Sequence, residues 1–215
     1  MLINLLQDLN TLFCNMDILV VAPMEMERDN FLQAVSNYYG GCRNYYRTLV
    51  CGVGKISAAM NVQNFLATNA DMRVDMIALI GYAGGGSESV PGAVVMPDVC
   101  YQWDVDVPYS PWFNRMVEPH MLRGSDRVSI LTGDTFVNRG WGRCLEKTYG
   151  KNVIYDMECA AVASVAENEN IPMVAIKIIS DVPYRPWWKR KAESFDSFIS
   201  KNTDFLSILE LLEEW

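Results

Sequence analysis

The 215-residue chain has a single histidine, His120, and its six cysteines include no CxxC pair. Zinc sites are built from clustered thiolates and imidazoles, so we do not expect a metal site of this kind. Several cysteines, such as Cys51, lie in apolar stretches, where a thiol behaves as a small buried hydrophobic group. This use of cysteine indicates a reducing compartment, and we expect the protein to be cytoplasmic.

The chain also lacks an excess of positive charge. Its 18 lysines and arginines are outnumbered by 26 aspartates and glutamates, which gives a formal net charge of −8. Proteins that bind duplexes usually have the opposite balance because they neutralise phosphates. We therefore expect no nucleic acid partner and favour a small-molecule ligand.

No apolar run approaches the roughly 20 residues that a membrane-spanning helix needs, so we expect no membrane association. The apolar segment at 1–15 lacks the basic start and the cleavage signal of a secretory peptide. Its leucines at 2, 5, 6, 9 and 12 fit one face of an amphipathic helix. We predict a leader helix for packing or dimerisation, or an upstream extension, at 1–15, followed by one domain at 16–215.

Strand and helix patterns alternate along that domain. Apolar β-rich runs predict strands over 17–22, 46–54, 75–81, 128–133, 152–156 and 172–180, and two further β segments within 91–107. Helical spacing predicts helices over 25–39, 55–68, 157–170 and 193–213, with a loop over 108–127. Alternation of this type is typical of a single α/β domain with a mixed, mostly parallel central sheet flanked by helices.

The residues that follow the predicted strands are acidic, aromatic or glycine. They include Glu25, Glu27, Tyr82, Ala83, Gly84, Gly85, Asp134, Phe136, Met157, Glu158 and Asp181. Ligands bind at this edge of open α/β sheets. GVGK at 52–55 lacks the first glycine of a Walker A loop, and GYAGGG at 81–86 does not match GxGxxG. Carboxylates, rather than a phosphate-binding loop, are therefore the chemistry that the sequence offers.

Three carboxylates at strand ends suit the cleavage of an N-glycosidic bond. One acid can protonate the leaving base, a second carboxylate can hold the ribose hydroxyls, and a third can activate water. Burial can separate their pKa values, as in two-carboxylate glycosidases. Simpler explanations also fit the spacing: acids are favoured in the first turn of a helix, where Glu27 and Glu158 lie, and Asp181 can cap a helix.

A series of motifs resembles the nucleoside phosphorylase/nucleosidase superfamily, and within it most closely the 5′-methylthioadenosine/S-adenosylhomocysteine nucleosidases. The matching stretches are VVAPMEMER at 20–28, GVGKISAAMN at 52–61, LIGYAGGG at 79–86, PGAVVMPD at 91–98, TGDTFVN at 132–138, YDMECAAVA at 155–163, KIISDV at 177–182 and SFDSF at 194–198. The resemblance implies a nucleoside phosphorylase-like fold, no metal or cofactor, and a homodimer in which Val107 is the candidate for reaching the neighbouring site.

The resemblance also implies a role for each site residue. Glu27 matches the carboxylate that activates water, Glu158 the residue that binds the ribose hydroxyls, and Asp181 the acid that protonates N7 of the base. The other predicted substrate-binding residues are Met24, Tyr82, Ala83, Gly84, Phe136, Val137, Met157, Lys177, Ser180 and Phe195, of which Phe136 and Val137 match positions at the base and Phe195 an aromatic lid.

An acid at the position of Glu27 repels inorganic phosphate, whereas phosphorolysis needs a cationic pocket. We therefore predict hydrolysis of purine nucleosides, with 5′-modified adenosines as substrates and adenine as product. Two departures from the family pattern keep a phosphorylase and a non-catalytic nucleoside-binding protein open as alternatives. Tyr82 stands where the family has a small serine, and Lys177 stands where it commonly has an arginine.

Overall fold

The structure, a computed structural model, describes residues 15–39, 41–105, 118–182 and 204–215. The strands in these ranges are β1 (Asp17–Ala22), β2 (Tyr45–Val50), β3 (Met76–Gly85), β4 (Val94–Val95), β5 (Val99–Gln102), β6 (His120–Met121), β7 (Ser129–Thr132), β8 (Val153–Asp156) and β9 (Met173–Asp181). The helices are α1 (Glu25–Asn37), α2 (Lys55–Thr68), α3 (Arg139–Tyr149), α4 (Cys159–Asn168) and α5 (Phe205–Glu213). The predicted leader, Val107 and Phe195 lie outside the described residues, apart from Asn15.

All of these strands belong to one sheet. Parallel pairs join β2 to β1, β1 to β3, β3 to β9, β5 to β7 and β7 to β8, and antiparallel pairs join β3 to β8, β4 to β9 and β5 to β6. The predicted α/β fold with a mixed, mostly parallel sheet is confirmed. Strands β3 and β8 pair only near their carboxyl ends, at Gly84 with Tyr155 and Gly85 with Ile154. The carboxyl ends of the two parallel halves of the sheet therefore meet at this junction.

Helices cover both faces of the sheet, which explains why its central strands are apolar on both sides. On one face, side chains such as Leu19, Leu79 and Ala175 pack against α2 and α4. On the other, alternate residues such as Val20, Ile80 and Ile176 pack against Phe31 of α1 and against α5. No helix in the described ranges has the length and hydropathy to cross a bilayer.

Three elements differ from the sequence prediction. Strand β3 runs on through the glycines that were predicted to end it, because β9 and β8 pair with them. Helix α3 was missed because two glycines interrupt its pattern; Asn138 caps it by accepting hydrogen bonds from the N–H groups of Gly140 and Trp141 at 2.8 and 3.1 Å. The short strand β6 lies within the predicted loop at 108–127.

Candidate active site

A cavity opens at the junction where the carboxyl ends of the strands meet. The predicted site residues that line it are Met24, Glu27, Tyr82, Ala83, Gly84, Phe136, Val137, Met157, Glu158, Ser180 and Asp181. They lie at the carboxyl ends of β3 and β9 or shortly after β1, β7 and β8, so the fold brings together residues that lie far apart in sequence. Asp156, Val53 and Thr135 also line the cavity, although the sequence did not single them out.

Glu27 lies in the first turn of α1 and is almost completely buried. Its Oε2 accepts a hydrogen bond from the N–H of Met24 and its Oε1 one from the N–H of Tyr82, both at 2.9 Å. Burial raises the pKa of this carboxyl, although the charge of Lys177 and the two backbone N–H groups act in the opposite direction. A carboxylate with a raised pKa and a fixed orientation suits a general base.

Gly81 leaves the space that the carboxylate of Glu27 occupies. Gly81 has φ +134°, a conformation that other residues rarely adopt, and a Cβ added there would lie 2.4 Å from Oε1 of Glu27. Only a residue without a side chain lets the carboxylate approach the strand this closely. The glycine-rich stretch at 81–85 is therefore part of a continuous strand that makes room for an acid.

We predict that Gly81→Ala displaces the Glu27 carboxylate. Strain at this φ should reduce the free energy of unfolding by about 1–3 kcal/mol, and a displacement of the order of an ångström should reduce kcat by about 10²-fold. Gly41→Ala is the matched control, because Gly41 also has a positive φ, of +75°, but open space around it. Equal kcat in the two variants would show that Gly81 does not position Glu27.

Glu158 precedes α4 and is also buried. Its Oε1 accepts a hydrogen bond from the N–H of Gly54 at 2.8 Å, which ties the loop before α2 to the cavity. Burial, with a contribution from the charge of Asp156, raises the pKa of Glu158 to about 7, against the lowering influence of Lys177 and of the Gly54 N–H. Glu158 therefore changes its charge close to neutral pH.

Asp156, at the end of β8, is held by three groups. Its Oδ1 accepts a hydrogen bond from the Thr132 hydroxyl at 2.6 Å, and its Oδ2 accepts one from the N–H of Cys159 at 2.9 Å. The same Oδ2 lies 3.2 Å from Nζ of Lys177. The structure thus places Lys177 differently from the prediction: the residue is 0% exposed and lies beneath the cavity wall, so it cannot contact a substrate directly.

Asp181 lines the cavity from the end of β9. The Ser180 hydroxyl donates to Oδ1 of Asp181 at 3.0 Å and lies 3.2 Å from the carbonyl oxygen of Ala83. The register of β3 and β9 shifts between Ala83 and Gly84, so that Gly84 is paired with Asp181. This irregularity sets the orientation of the Asp181 side chain beside the cavity.

The aromatic residues of the site differ in their surroundings. Phe136 is 70% exposed at the mouth of the cavity, whereas Val137 next to it is buried. The ring of Tyr82 packs edge-on against Phe205 of α5, with centroids 5.9 Å apart. Burial, and then the charge of Glu27, raises the pKa of Tyr82 to about 12, so its hydroxyl keeps its proton at neutral pH.

The described walls of the cavity carry four carboxylates, from Glu27, Asp156, Glu158 and Asp181, and no lysine or arginine. Within the described ranges, no group of three His, Cys, Asp or Glu residues is arranged to hold a metal ion. The described part of the site can therefore donate and accept protons and bind hydroxyls. It offers no cation to bind an anionic co-substrate.

Solved structures with the same fold include three bacterial 5′-methylthioadenosine/S-adenosylhomocysteine or S-adenosylhomocysteine nucleosidases. The enzyme from S. pneumoniae, with a transition-state inhibitor, is 22% identical, with 92% of this chain and 98% of that chain covered and a TM-score of 0.71. The Neisseria meningitidis enzyme with methylthio-immucillin-A is 21% identical, with 93% and 99% covered and a TM-score of 0.72. The Streptococcus pyogenes enzyme with 5-methylthiotubericidin is 20% identical, with 94% and 97% covered and a TM-score of 0.72.

The sequence itself matches the model of the phosphorylase superfamily over residues 33–211. The match includes the cavity residues at the carboxyl ends of β3 and β9 and after β7 and β8, and it begins after Glu27. Because the match covers most of the chain, this protein belongs to the phosphorylase superfamily.

Proposed function

We propose that the protein hydrolyses the N-glycosidic bond of purine nucleosides. Its substrates are 5′-modified adenosines such as methylthioadenosine or S-adenosylhomocysteine, and it releases adenine in cytoplasmic purine salvage. The observation that carries the proposal is a cavity walled by four carboxylates and, in its described part, by no cationic side chain. The nucleosidases that share the fold support the choice of substrate.

In this proposal, three acids of the cavity have one task each. Glu27, held by two backbone N–H groups, takes a proton from the attacking water. Glu158 accepts hydrogen bonds from the ribose hydroxyls, and Asp181 protonates the base at N7 so that it leaves as neutral adenine. Met24 and Met157 contact the sugar, and Phe136 and Val137 contact the base.

The charge of the site favours water over inorganic phosphate. A phosphate at the anomeric carbon would lie beside Glu27 and Glu158 in a buried environment, where like charges repel strongly. Lys177 offers no compensation, because its ammonium is fully buried and paired with Asp156. Water carries no charge, so these carboxylates do not repel it, and a neighbouring base makes it a better nucleophile by taking its proton. The phosphorylase alternative therefore has no described side chain to bind its co-substrate.

Adenine release from a panel of nucleosides in phosphate-free buffer tests the proposal. We expect turnover of methylthioadenosine and S-adenosylhomocysteine and slower turnover of uridine, whose base lacks N7. Binding without release from any purine nucleoside would contradict the proposal and favour a non-catalytic binding protein.

The state of Glu158 gives the proposal a pH signature. An ionised carboxylate accepts hydrogen bonds from both ribose hydroxyls, whereas the protonated acid must donate at one oxygen. Since the pKa of Glu158 is about 7, KM for methylthioadenosine should fall as pH rises through neutrality. The 2′,3′-dideoxy analogue is the control, because its inhibition constant should not change with Glu158 ionisation. A flat KM profile for methylthioadenosine would contradict the assigned role.

We also propose a homodimer, supported by exposed apolar residues beside the cavity. Ile56 and Met60 lie one turn apart on α2 and are 74% and 66% exposed, and Val53 just before the helix lines the cavity and is half exposed. Apolar patches of this kind are typical of subunit interfaces. The double change Ile56→Glu, Met60→Glu should convert the dimer to monomers in sedimentation velocity. Met121→Glu, on exposed strand β6, should leave it dimeric; a monomeric wild type would contradict the proposal.

A further inference from the structure

One charged pair at the cavity, Asp156 in its wall and the fully buried Lys177 beside it, has no task in the hydrolysis described above. We propose that the ion pair of Lys177 and Asp156 is a positioning pair, whose two charges act in opposite directions on the proposed functional carboxylates Glu27 and Glu158. The catalytic consequence rests on the proposed function. The electrostatic effect belongs to the folded protein itself and can be measured without any substrate.

The sheet brings Lys177 next to Glu27. Lys177 of β9 is the register partner of Gly81 of β3, and adjacent strands lie about 4.8 Å apart. The site where a Cβ of Gly81 would stand is occupied by the Glu27 carboxylate. Alternate residues of a strand share a face, so Lys177 lies on the face of its neighbours Ala175 and Ile179, which pack on α2 and α4. The missing side chain of Gly81 therefore lets the carboxylate lie beside Lys177.

Asp156 fixes the other end of Lys177. Its carboxylate is itself immobilised by Thr132, its register partner on β7, and by the N–H of Cys159 in the first turn of α4. Glu158 lies between Asp156 and Cys159 in the sequence, immediately before helix α4. The ammonium is thus held 3.2 Å from Asp156, two residues before Glu158, while the backbone of Lys177 pairs with Gly81, next to the Glu27 carboxylate.

The charge balance of this region is uneven, with three buried carboxylates and one buried ammonium in the described part of the site. Burial lowers the pKa of Lys177, but the negative charges of the surrounding acids raise it by more, so the ammonium stays charged. These acids are Asp156, Glu158 and Glu27. The charge of Lys177 lowers the pKa of Glu27 and of Glu158, whereas that of Asp156 raises both. The two members of the pair therefore shift the pKa of each glutamate in opposite directions.

Beside Gly54, whose N–H binds Glu158, Lys55 and Asp134 form an ion pair at 3.6 Å. Three further titratable groups around the two carboxylates are neutral at pH 7. Burial raises the pKa of each, and they are Tyr82 of β3, Cys51 after β2 and Cys159 of α4. Asp181 is a further carboxylate in the cavity wall, at the end of the strand that carries Lys177. No lysine or arginine lines the described walls, so the buried Lys177 is the cation whose removal should matter most to these carboxylates.

The test is a pair of variants with opposite expected signs. Titration of the Glu27 and Glu158 carboxyl groups by ¹³C NMR on the free protein, assigned with Glu27→Gln and Glu158→Gln, should show higher midpoints in Lys177→Met, by about one pH unit or more. In Asp156→Asn the midpoints should be lower than in the wild type. The double variant should return towards the wild type, and Lys177→Arg, which keeps the charge, should stay near it.

Unchanged midpoints, or shifts in the same direction in both single variants, would overturn the proposal. Thermal melts establish that each variant is folded; if Lys177→Met is not, the sign of the Asp156→Asn shift decides. In turnover, Lys177→Met should lose about tenfold or more of kcat/KM at pH 7 and recover as pH rises. A loss of equal size at every pH would indicate a purely structural pair. Absence of wild-type turnover would overturn the proposed function and leave the NMR result to stand alone.

Discussion

Glu27→Gln is expected to reduce kcat for methylthioadenosine by about 10²–10⁴-fold, with KM close to the wild-type value. Glutamine has the shape of glutamate but cannot take a proton from water. Both oxygens of Glu27 accept backbone N–H groups, from Met24 and Tyr82. The amide must turn its NH₂ towards one of these donors, so we also expect a loss of about 1–3 kcal/mol in the free energy of unfolding. Steady-state kinetics and urea unfolding separate the two effects.

Glu25→Gln is the matched control. Glu25 lies in the same first turn of α1 but is exposed, so its replacement should leave both kcat and stability unchanged. A folded Glu27→Gln protein with near wild-type kcat would refute the assignment of Glu27 as the general base. It would also return Glu27 to the simpler interpretation, an acid favoured by the first turn of a helix.

Asp181→Asn should produce a loss of similar size, about 10²–10⁴-fold in kcat, because asparagine cannot protonate N7. The loss should depend on the leaving group. A 4-nitrophenyl riboside releases 4-nitrophenolate, which leaves without being protonated. Its hydrolysis should therefore be much less sensitive to Asp181→Asn than that of methylthioadenosine. The comparison of the two substrates in the same variant distinguishes a lost proton donor from a distorted site.

Asp71→Asn serves as the control for this change, because Asp71 is exposed and outside the cavity. If Asp181→Asn slowed both substrates equally, Asp181 would have a structural role. In that case Ser180→Ala, which removes the hydrogen bond to Asp181, should slow both substrates to a similar extent as Asp181→Asn.

Much of the fold and of the candidate site follows from local patterns. The apolar runs 17–22 and 172–180 and the helix over 55–68 agree with β1, β9 and α2 to within a residue. Parallel strands end at one edge, so the rule that ligands bind there also placed Glu27, Glu158 and Asp181 on one cavity. Local patterns predict an element correctly where the spacing of its apolar residues matches the face or faces that the element buries.

The parts that were missed depend on contacts between distant segments. The strand at 75–81 was predicted to stop at Gly81, because nothing local shows that Glu27, more than fifty residues earlier, fills the place of the missing side chain. Lys177 was predicted to contact substrate, although a lysine inside an otherwise apolar strand indicates a buried, paired cation. Its partner Asp156 was overlooked beside Glu158, because spacing does not distinguish an ion pair from a ligand contact.

The identity of the sugar product, formed with saturating inorganic phosphate present, tests the central claim most directly. The substrate is methylthioadenosine, and the products are separated and weighed by mass spectrometry. A site with four carboxylates and no cationic side chain in its described walls should release adenine together with free 5-methylthioribose, at a rate that does not depend on phosphate. Formation of the sugar 1-phosphate, with no adenine released when phosphate is omitted, would contradict hydrolysis.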